Sequence, residues 1–445
     1  MDAPVTDPDV LEGYLRDASN VRGRADMLLR PRDAHEVAEA LAWCQARAIP
    51  VTVTARRTST TGAPVPEGGA LLSTERLTRV HALDDVEGGV LLGAYQDAVE
   101  RAGCFFPPDP TSRNECSLGG AIACNASGAR SFRYGPTRRW IEAIEVVTPT
   151  GAILRADRST PAPWSVPRWE EPRVKTAAGY SPAGNLLDLI IGSEGTLGVV
   201  TRAWTRLLPL PAHVLGLWAY LPSRAGVLSF VERARTLGPR CIEYADRHAL
   251  DLVRGRLPGV PAAAGAAYVE IEHGGEAPLA PWIEALQEAG ADLDATIVAS
   301  DDASRARLHA VRHAIPASIN EQVARHGFPK LGTDFAVPPE HLAEMMEAYD
   351  DTALPTACFG HIGDSHLHLN FLPRSPSEVE EARRRYEELA HLAVARGGTV
   401  SAEHGIGRHK RHLLAHMVGP ALVEAWRRMR AEADPAGVLG RGVLV

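Results

Sequence analysis

The spacing of apolar and polar residues divides the chain into two halves with different rhythms. Residues 1–30 read as a polar lead-in. Over Asp33–Ala48 (DAHEVAEALAWCQARA), Val37, Leu41 and Cys44 recur at helical spacing, and Asp33 is placed to cap the first turn. Ile49–Thr54 and Ala70–Ser73 read as strands around the loop ARRTSTTGAP. Ile141–Pro149 and Ala152–Ala156 read as a hairpin about Thr150–Gly151. Residues 157–175 are aperiodic and carry Pro and Trp, as a loop does. Leu186–Ile191 reads as helical or buried, Gly192–Gly198 as a tight turn and Val199–Leu207 as a strand. Pro209 and Pro211 punctuate the chain and place a boundary there.

In the second half, strands are predicted at Val214–Leu221, Cys241–Asp246, Ala266–Ile271, Thr296–Val298, Lys330–Val337 and as a pair within 356–372. Helices are predicted at Ser223–Thr236, Ala280–Ala289, Ser304–Val323, Glu340–Tyr349 and Glu378–Arg396. The alternation predicts an α+β fold, with an antiparallel sheet carrying helices on one face.

A length of 445 residues calls for two or more domains. A net charge of -8 argues against a nucleic-acid surface. The N-terminus is acidic and lacks the apolar core of a signal peptide, and no apolar run is long enough for a membrane helix. The six cysteines are scattered without a CxxC pair, so reduced thiols and a cytoplasmic setting are expected.

Two stretches concentrate reactive side chains. Cys358–Phe371 (CFGHIGDSHLHLNF) packs His361, His366 and His368 closely, and Ser401–Lys410 (SAEHGIGRHK) sets Glu403 beside His404. Imidazole and carboxylate suit a borderline divalent metal, and a spare His can move a proton. The plain alternative is that the histidines pack and hydrogen-bond quietly. A third stretch, Phe105–Tyr134, contains more than a dozen small residues around Gly119–Gly120. Such a run lets the backbone approach either a large flat ligand or another chain segment.

Taken in order, PPDPTS, SLGGAIACNASGAR, YGPTR, GSEGTLGVVT, GHIGDSHLH and SAEHGIG resemble the FAD-linked D-2-hydroxyacid dehydrogenases, a branch of the vanillyl-alcohol-oxidase/PCMH flavoproteins. That family includes D-lactate dehydrogenase, the glycolate oxidase flavin subunit and D-2-hydroxyglutarate dehydrogenase. The resemblance runs from about Pro31 to Asp434. It implies a PCMH-type FAD-binding domain of two α+β subdomains over residues 1–210, an α+β cap domain over 211–398, and a segment 399–445 returning to the FAD domain. It also implies noncovalent FAD, since no His lies in the 50–66 loop, and a divalent metal, Zn or Mn.

By matched motif, Thr58, Ser59, Thr61, Gly62, Pro110, Thr111, Ser117, Gly119, Gly120, Asn125, Gly128, Glu194, Gly195 and Val200 would bind FAD. His361, His368 and Glu403 would hold the metal, His404 would be the base, and Arg312, Lys330 and Asn370 would meet the substrate. The implied reaction takes the hydroxyl proton of a 2-hydroxy acid to His404 and its α-hydrogen as hydride to flavin N5, with a separate electron acceptor. A homodimer is compatible with the resemblance.

This chain departs from the family at three places. Where the family has a glycine-rich loop, Arg56 and Arg57 precede Thr58. Either their side chains hinder the backbone's approach to pyrophosphate, or one of them binds it directly. His366 stands where the family more often has Asn, as second shell, extra ligand or ordinary hydrogen-bonded residue. The tail reads Gly440-Arg441-Gly442 instead of Asn-Pro-Gly. Two other readings stay open: the same fold acting on another alcohol or amino-acid-like substrate, and a flavin-free metal-binding protein or hydrolase.

Overall fold

The computed structural model describes residues 2–256 and 260–445. Two small sheets, beside a two-stranded pairing of Cys104–Phe105 with Leu208–Pro209, underlie the first half. Met27–Leu29, Ala70–Ser73 and Val51–Thr54 pair in parallel, in that order. Helix Ala34–Gln45 covers them and begins where the Asp33 side chain accepts from Glu36 N at 2.9 Å. Its Val37, Leu41 and Cys44 are buried with Leu29, Val51 and Leu72. The lead-in is therefore not wholly polar: Leu28 and Leu29 are buried on opposite faces of its strand. The second sheet is antiparallel and runs Val80–Ala82, Asp85–Glu87, Val199–Thr205, Ile141–Val147, Ile153–Asp157. The last two are the expected hairpin.

The run of small residues becomes the short helix Leu118–Ala123, capped by Ser117 Oγ, which accepts from Gly120 N at 3.1 Å. Gly119 is there for close approach: its N donates to Gly88 O at 2.7 Å, and a Cβ on it would stand 2.8 Å from that oxygen.

The second half is built on an eight-stranded antiparallel sheet. Its order is Ile297–Ala299, His213–Leu221, Gly265–His273, Cys241–Asp246, Thr356–His361, His366–Phe371 and Leu331–Gly332, with Phe335–Ala336 also pairing to His366–Phe371. Two expectations need correction. Helices cover both faces, not one. Leu215, Leu217 and Ala219 pack with Arg224–Thr236 and Ala280–Glu288, while Trp218 and Tyr220 pack with Arg247–Val253 and Asp302–His326. The strand His213–Leu221 is buried at both parities, which demands cover on both sides. The single strand expected at Lys330–Val337 is broken at Thr333–Asp334, because the Asp334 carboxylate is committed elsewhere.

After the helices Arg411–Val418 and Pro420–Ala433, the chain returns to the first sheet. Val51 N donates to Val438 O at 2.8 Å, and Gly440 N donates to Val51 O at 2.9 Å. Trp426, fully buried, sits edge-on between Trp169 and Tyr180 with ring centres 5.5 and 5.7 Å away. It pins the loop before the glycine turn to the C-terminal helix. Trp426→Ala is expected to cost on the order of 3–5 kcal/mol, read as a lowered urea midpoint by circular dichroism.

Candidate active site

Strand register explains why the histidines meet. Thr356–His361 and His366–Phe371 pair so that His361 faces His366, Phe359 faces His368 and Ala357 faces Asn370. Cross-strand partners share one side of a sheet, so all three imidazoles and Asn370 project from the same side. The connecting turn is clamped by Arg235, which donates to Gly363 O at 3.0 Å, Ile362 O at 3.1 Å and Ser365 Oγ at 2.7 Å.

Each imidazole is oriented by a neighbour. His361 Nδ1 lies 2.7 Å from Glu243 Oε1, and Arg312 Nε donates to Glu243 Oε2 at 2.7 Å. His368 Nδ1 donates to Thr333 O at 2.9 Å. Both Nε2 atoms therefore turn to Glu403, at 3.1 Å for His361 and 3.6 Å for His368. Burial opposes the charge on His361, but Glu243 and Glu403 outweigh it and lift its pKa to about 9. Glu403 also accepts from Ser127 Oγ at 3.2 Å and from the Lys175 ammonium, whose Nζ is 3.5 Å from Asp364 Oδ2.

His366 is fully buried; burial, together with His368, pushes its pKa down to about 3. Its Nε2 is 3.1 Å from Asp334 Oδ1 but off the hydrogen-bond line, so neither ring nitrogen has a hydrogen-bond partner. Donor atoms of His361, His366, His368 and Glu403 all lie within 4.8 Å of one another. Nitrogen and carboxylate donors held by outer partners, with one imidazole unsatisfied, fit a borderline divalent ion.

Asp334 gathers the neighbouring loop. It is fully buried and accepts from Glu403 N at 3.1 Å, His404 N at 3.0 Å, Ser401 Oγ at 2.8 Å and Lys410 Nζ at 2.7 Å. Burial opposes its charge, but His404 and Lys410 hold it well below the usual carboxylate range. His404 Nδ1 is 3.4 Å from Asp334 Oδ2. Partial burial, with His368 and Lys410 nearby, lowers the His404 pKa despite Asp334, which favours the neutral ring that can accept a proton. The ring is 37% exposed, and it opens onto a cavity.

The other half of the loop is held by Glu194, whose carboxylate accepts from Ile406 N and Gly407 N, each at 2.8 Å. Burial raises Glu194 to about 7. Gly407 has φ +53°, and a Cβ there would meet Thr61 O at 2.2 Å.

A cavity of about 660 Å³ runs from His404 and Glu403 along the small-residue helix to the 54–64 loop. Of the expected cofactor residues, Arg56, Arg57, Thr58, Ser59, Pro110, Thr111, Ser117, Gly119, Gly120, Glu194, Gly195 and Val200 line it. Thr61, Gly62, Asn125 and Gly128 do not. Thr61 O accepts from Arg408 N, Gly62 N donates to Asp17, Asn125 accepts from Arg138 N, and Gly128 packs on Asp109. Arg57 is committed to Glu75 at 3.0 Å and lies over Tyr14, 4.4 Å from the ring centre. Arg56 forms no ion pair with a described residue, and its Nε is buried without a partner.

The substrate candidates divide similarly. Arg312 is taken up by Glu243, and Asn370 Nδ2 by His368 O at 3.1 Å. Burial lowers the pKa of Lys330, which has no bonded partner among the described residues.

Sequence reasoning missed Lys175, Glu243 and Asp334. Each is a lone charged residue in a loop or strand, without the glycines or repeated histidines that mark the two motifs.

The FAD-linked oxidase C-terminal domain family matches residues 211–444, and the FAD-binding domain family matches residues 25–157. D-2-hydroxyglutarate dehydrogenase of Xanthomonas citri pv. viticola is 32% identical, over 99% of this chain and 93% of its own length. D-lactate dehydrogenase of Archaeoglobus fulgidus is 30% identical over 94% and 91%. Glycolate oxidase subunit GlcD of Bacillus subtilis is 28% identical over 94% and 88%. The solved structure of an alkyldihydroxyacetonephosphate synthase superposes with a TM-score of 0.70 over 98% of this chain and 81% of its own, at 16% identity, and so shares the fold.

Three outcomes follow from this geometry. Asp334→Ala strands Lys410 and frees the Glu403–His404 backbone; a loss on the order of 3–5 kcal/mol is expected, read by calorimetry. Arg56→Ala is expected to raise the FAD dissociation constant about tenfold or more. Arg57→Ala should lower the melting temperature with little change in that constant. Flavin-fluorescence titration of the apoprotein separates the two.

Proposed function

This chain belongs to the FAD-linked oxidases, and from that premise we propose that it oxidises a D-2-hydroxy acid of the lactate, glycolate or 2-hydroxyglutarate type to the 2-oxo acid. The observation that carries the reading is His404, a neutral imidazole next to Glu403 that opens onto the cavity lined by the small-residue helix. Residues 1–210 would hold FAD, 211–398 would cover it, and 399–445 would return with the EHGIG loop.

Bound FAD supplies a two-electron acceptor for the α-hydrogen. A zinc-class ion at His361, His368 and Glu403, with His366 as a further donor, would supply Lewis acidity that lowers the hydroxyl pKa. His404 takes the hydroxyl proton. Asp334, at its Nδ1 and at its backbone N–H, orients the ring and leaves Nε2 for the substrate. Lys330, an ammonium with no partner among the described residues, is the better candidate for the substrate carboxylate, because Arg312 is held by Glu243. Arg312 instead orients His361 through Glu243. The 2-oxo acid leaves, and a separate acceptor reoxidises the cofactor. The six free thiols suit a reducing compartment such as the cytoplasm.

Arg312's engagement also favours a second reading, in which a different alcohol or amino-acid-like substrate is oxidised in the same pocket. The cavity and the FAD-binding-domain match lend no support to the flavin-free reading. Dye reduction with a panel of D- and L-2-hydroxy acids tests the proposal. Turnover confined to D-isomers supports it; reduction only by amines or unrelated alcohols overturns it. His404→Ala is expected to keep its flavin and lose about 10²–10⁴-fold in kcat. Full activity in that variant removes His404 as the base.

A further inference from the structure

Away from the pocket, two neighbouring helices carry four metal-binding side chains in register. Glu387 and His391 lie one turn apart on Pro376–Ala395, and His412 and His416 lie one turn apart on Arg411–Val418. Residues at i and i+4 share a helix face, so each pair is a two-donor chelate. The pairs also meet across the groove. His412 Nε2 is 2.7 Å from Glu387 Oε1, and the ring centres of His391 and His416 are 4.1 Å apart with planes tilted 34°.

These contacts are two rungs of one ladder, about 6 Å apart at 1.5 Å per residue. Helix packing does not require them: Leu389, Ala390, Leu413 and Leu414 form the buried contact beneath. Both rungs reach solvent; His412 is 59% and Glu387 39% exposed, and His391 and His416 are exposed.

The geometry points to a second divalent-metal site, in which one ion is held by Glu387, His391, His412 and His416. Three imidazoles and one carboxylate select a zinc-, nickel- or copper-class ion over magnesium or calcium. Donor atoms from the two rungs do not come within 4.8 Å of one another as a group, so the proposed ion requires the exposed side chains to rotate toward it from both rungs. The consequence lies in the connection. Residues 396–410 leave the first helix and enter the second, and they carry Glu403 and His404. An ion bridging the helices clamps both ends of that loop and reduces its freedom.

The test uses Ni²⁺ as the probe on the full chain with its flavin. Metal-stripped wild type and His391→Ala/His416→Ala are dialysed against micromolar Ni²⁺, and bound metal is counted by elemental analysis. The double variant is expected to bind one equivalent fewer at unchanged flavin content. Glu387→Gln is expected to weaken that equivalent roughly tenfold. Hydrogen exchange over residues 396–410 should slow more with Ni²⁺ in wild type than in the double variant. Equal stoichiometry in the two proteins, or binding that needs millimolar Ni²⁺, overturns the site. Equal slowing of exchange overturns the clamp.

Discussion

A carboxylate sealed from water must be satisfied by the protein around it, and Asp334 meets that demand with much of the loop over residues 401–410. Its oxygens accept from two consecutive backbone N–H groups, a serine hydroxyl and a lysine ammonium. The requirement works in both directions. The chain between Leu331–Gly332 and Phe335–Ala336 leaves the sheet where the Asp334 carboxylate turns inward, and the loop cannot move without leaving a buried charge unpaired. Glu194 does the same for the other side of the loop with backbone donors alone, and burial leaves it far less acidic. The positions of Glu403 and His404 thus follow from two carboxylates, one on the large sheet and one on the glycine turn of the first half.

The metal-type cluster rests on a different constraint, strand register. A one-residue slip between Thr356–His361 and His366–Phe371 would send the imidazoles to the opposite face. Arg235 fastens the turn that sets the register, and Glu243 and Thr333 then fix which nitrogen of each ring is free. Lys175 supplies a positive charge at Glu403 from the first half of the chain, so the site is completed by residues distant in sequence.

The sequence was legible wherever chemistry and local geometry coincide. Repeated histidines on one strand, glycines around an acid, and alternating apolar runs all mark their elements without reference to the fold. Asp334, Glu243 and Lys175 were not legible, because a single charge in a strand or loop looks the same whether it meets water or a buried partner. The two-sided cover of the sheet was missed for a related reason: alternation and continuous burial differ only in the small residues between, such as Gly216 and Ala219. Arg56 and Arg57 look equivalent in sequence. The left-handed backbone at Arg57, φ +57°, turns one guanidinium to Glu75 and Tyr14 and leaves its neighbour facing the cavity. Such a conformation costs about 1–2 kcal/mol in a non-glycine residue, which those contacts offset.

The pairing of Val438–Gly440 with Val51 has a bearing on how the molecule is made. Val51–Thr54 leads directly into the cavity-lining loop, and Leu444 N donates to Gly407 O at 2.9 Å. Strand and loop are both finished by residues that emerge from the ribosome hundreds of positions after Val51. A nascent chain can fold the helix Ala34–Gln45 early, but the Val51 edge of its sheet lacks its last partner until Val438–Gly440 has been made. A chain arrested before this point would present that unpaired strand edge to chaperones and proteases.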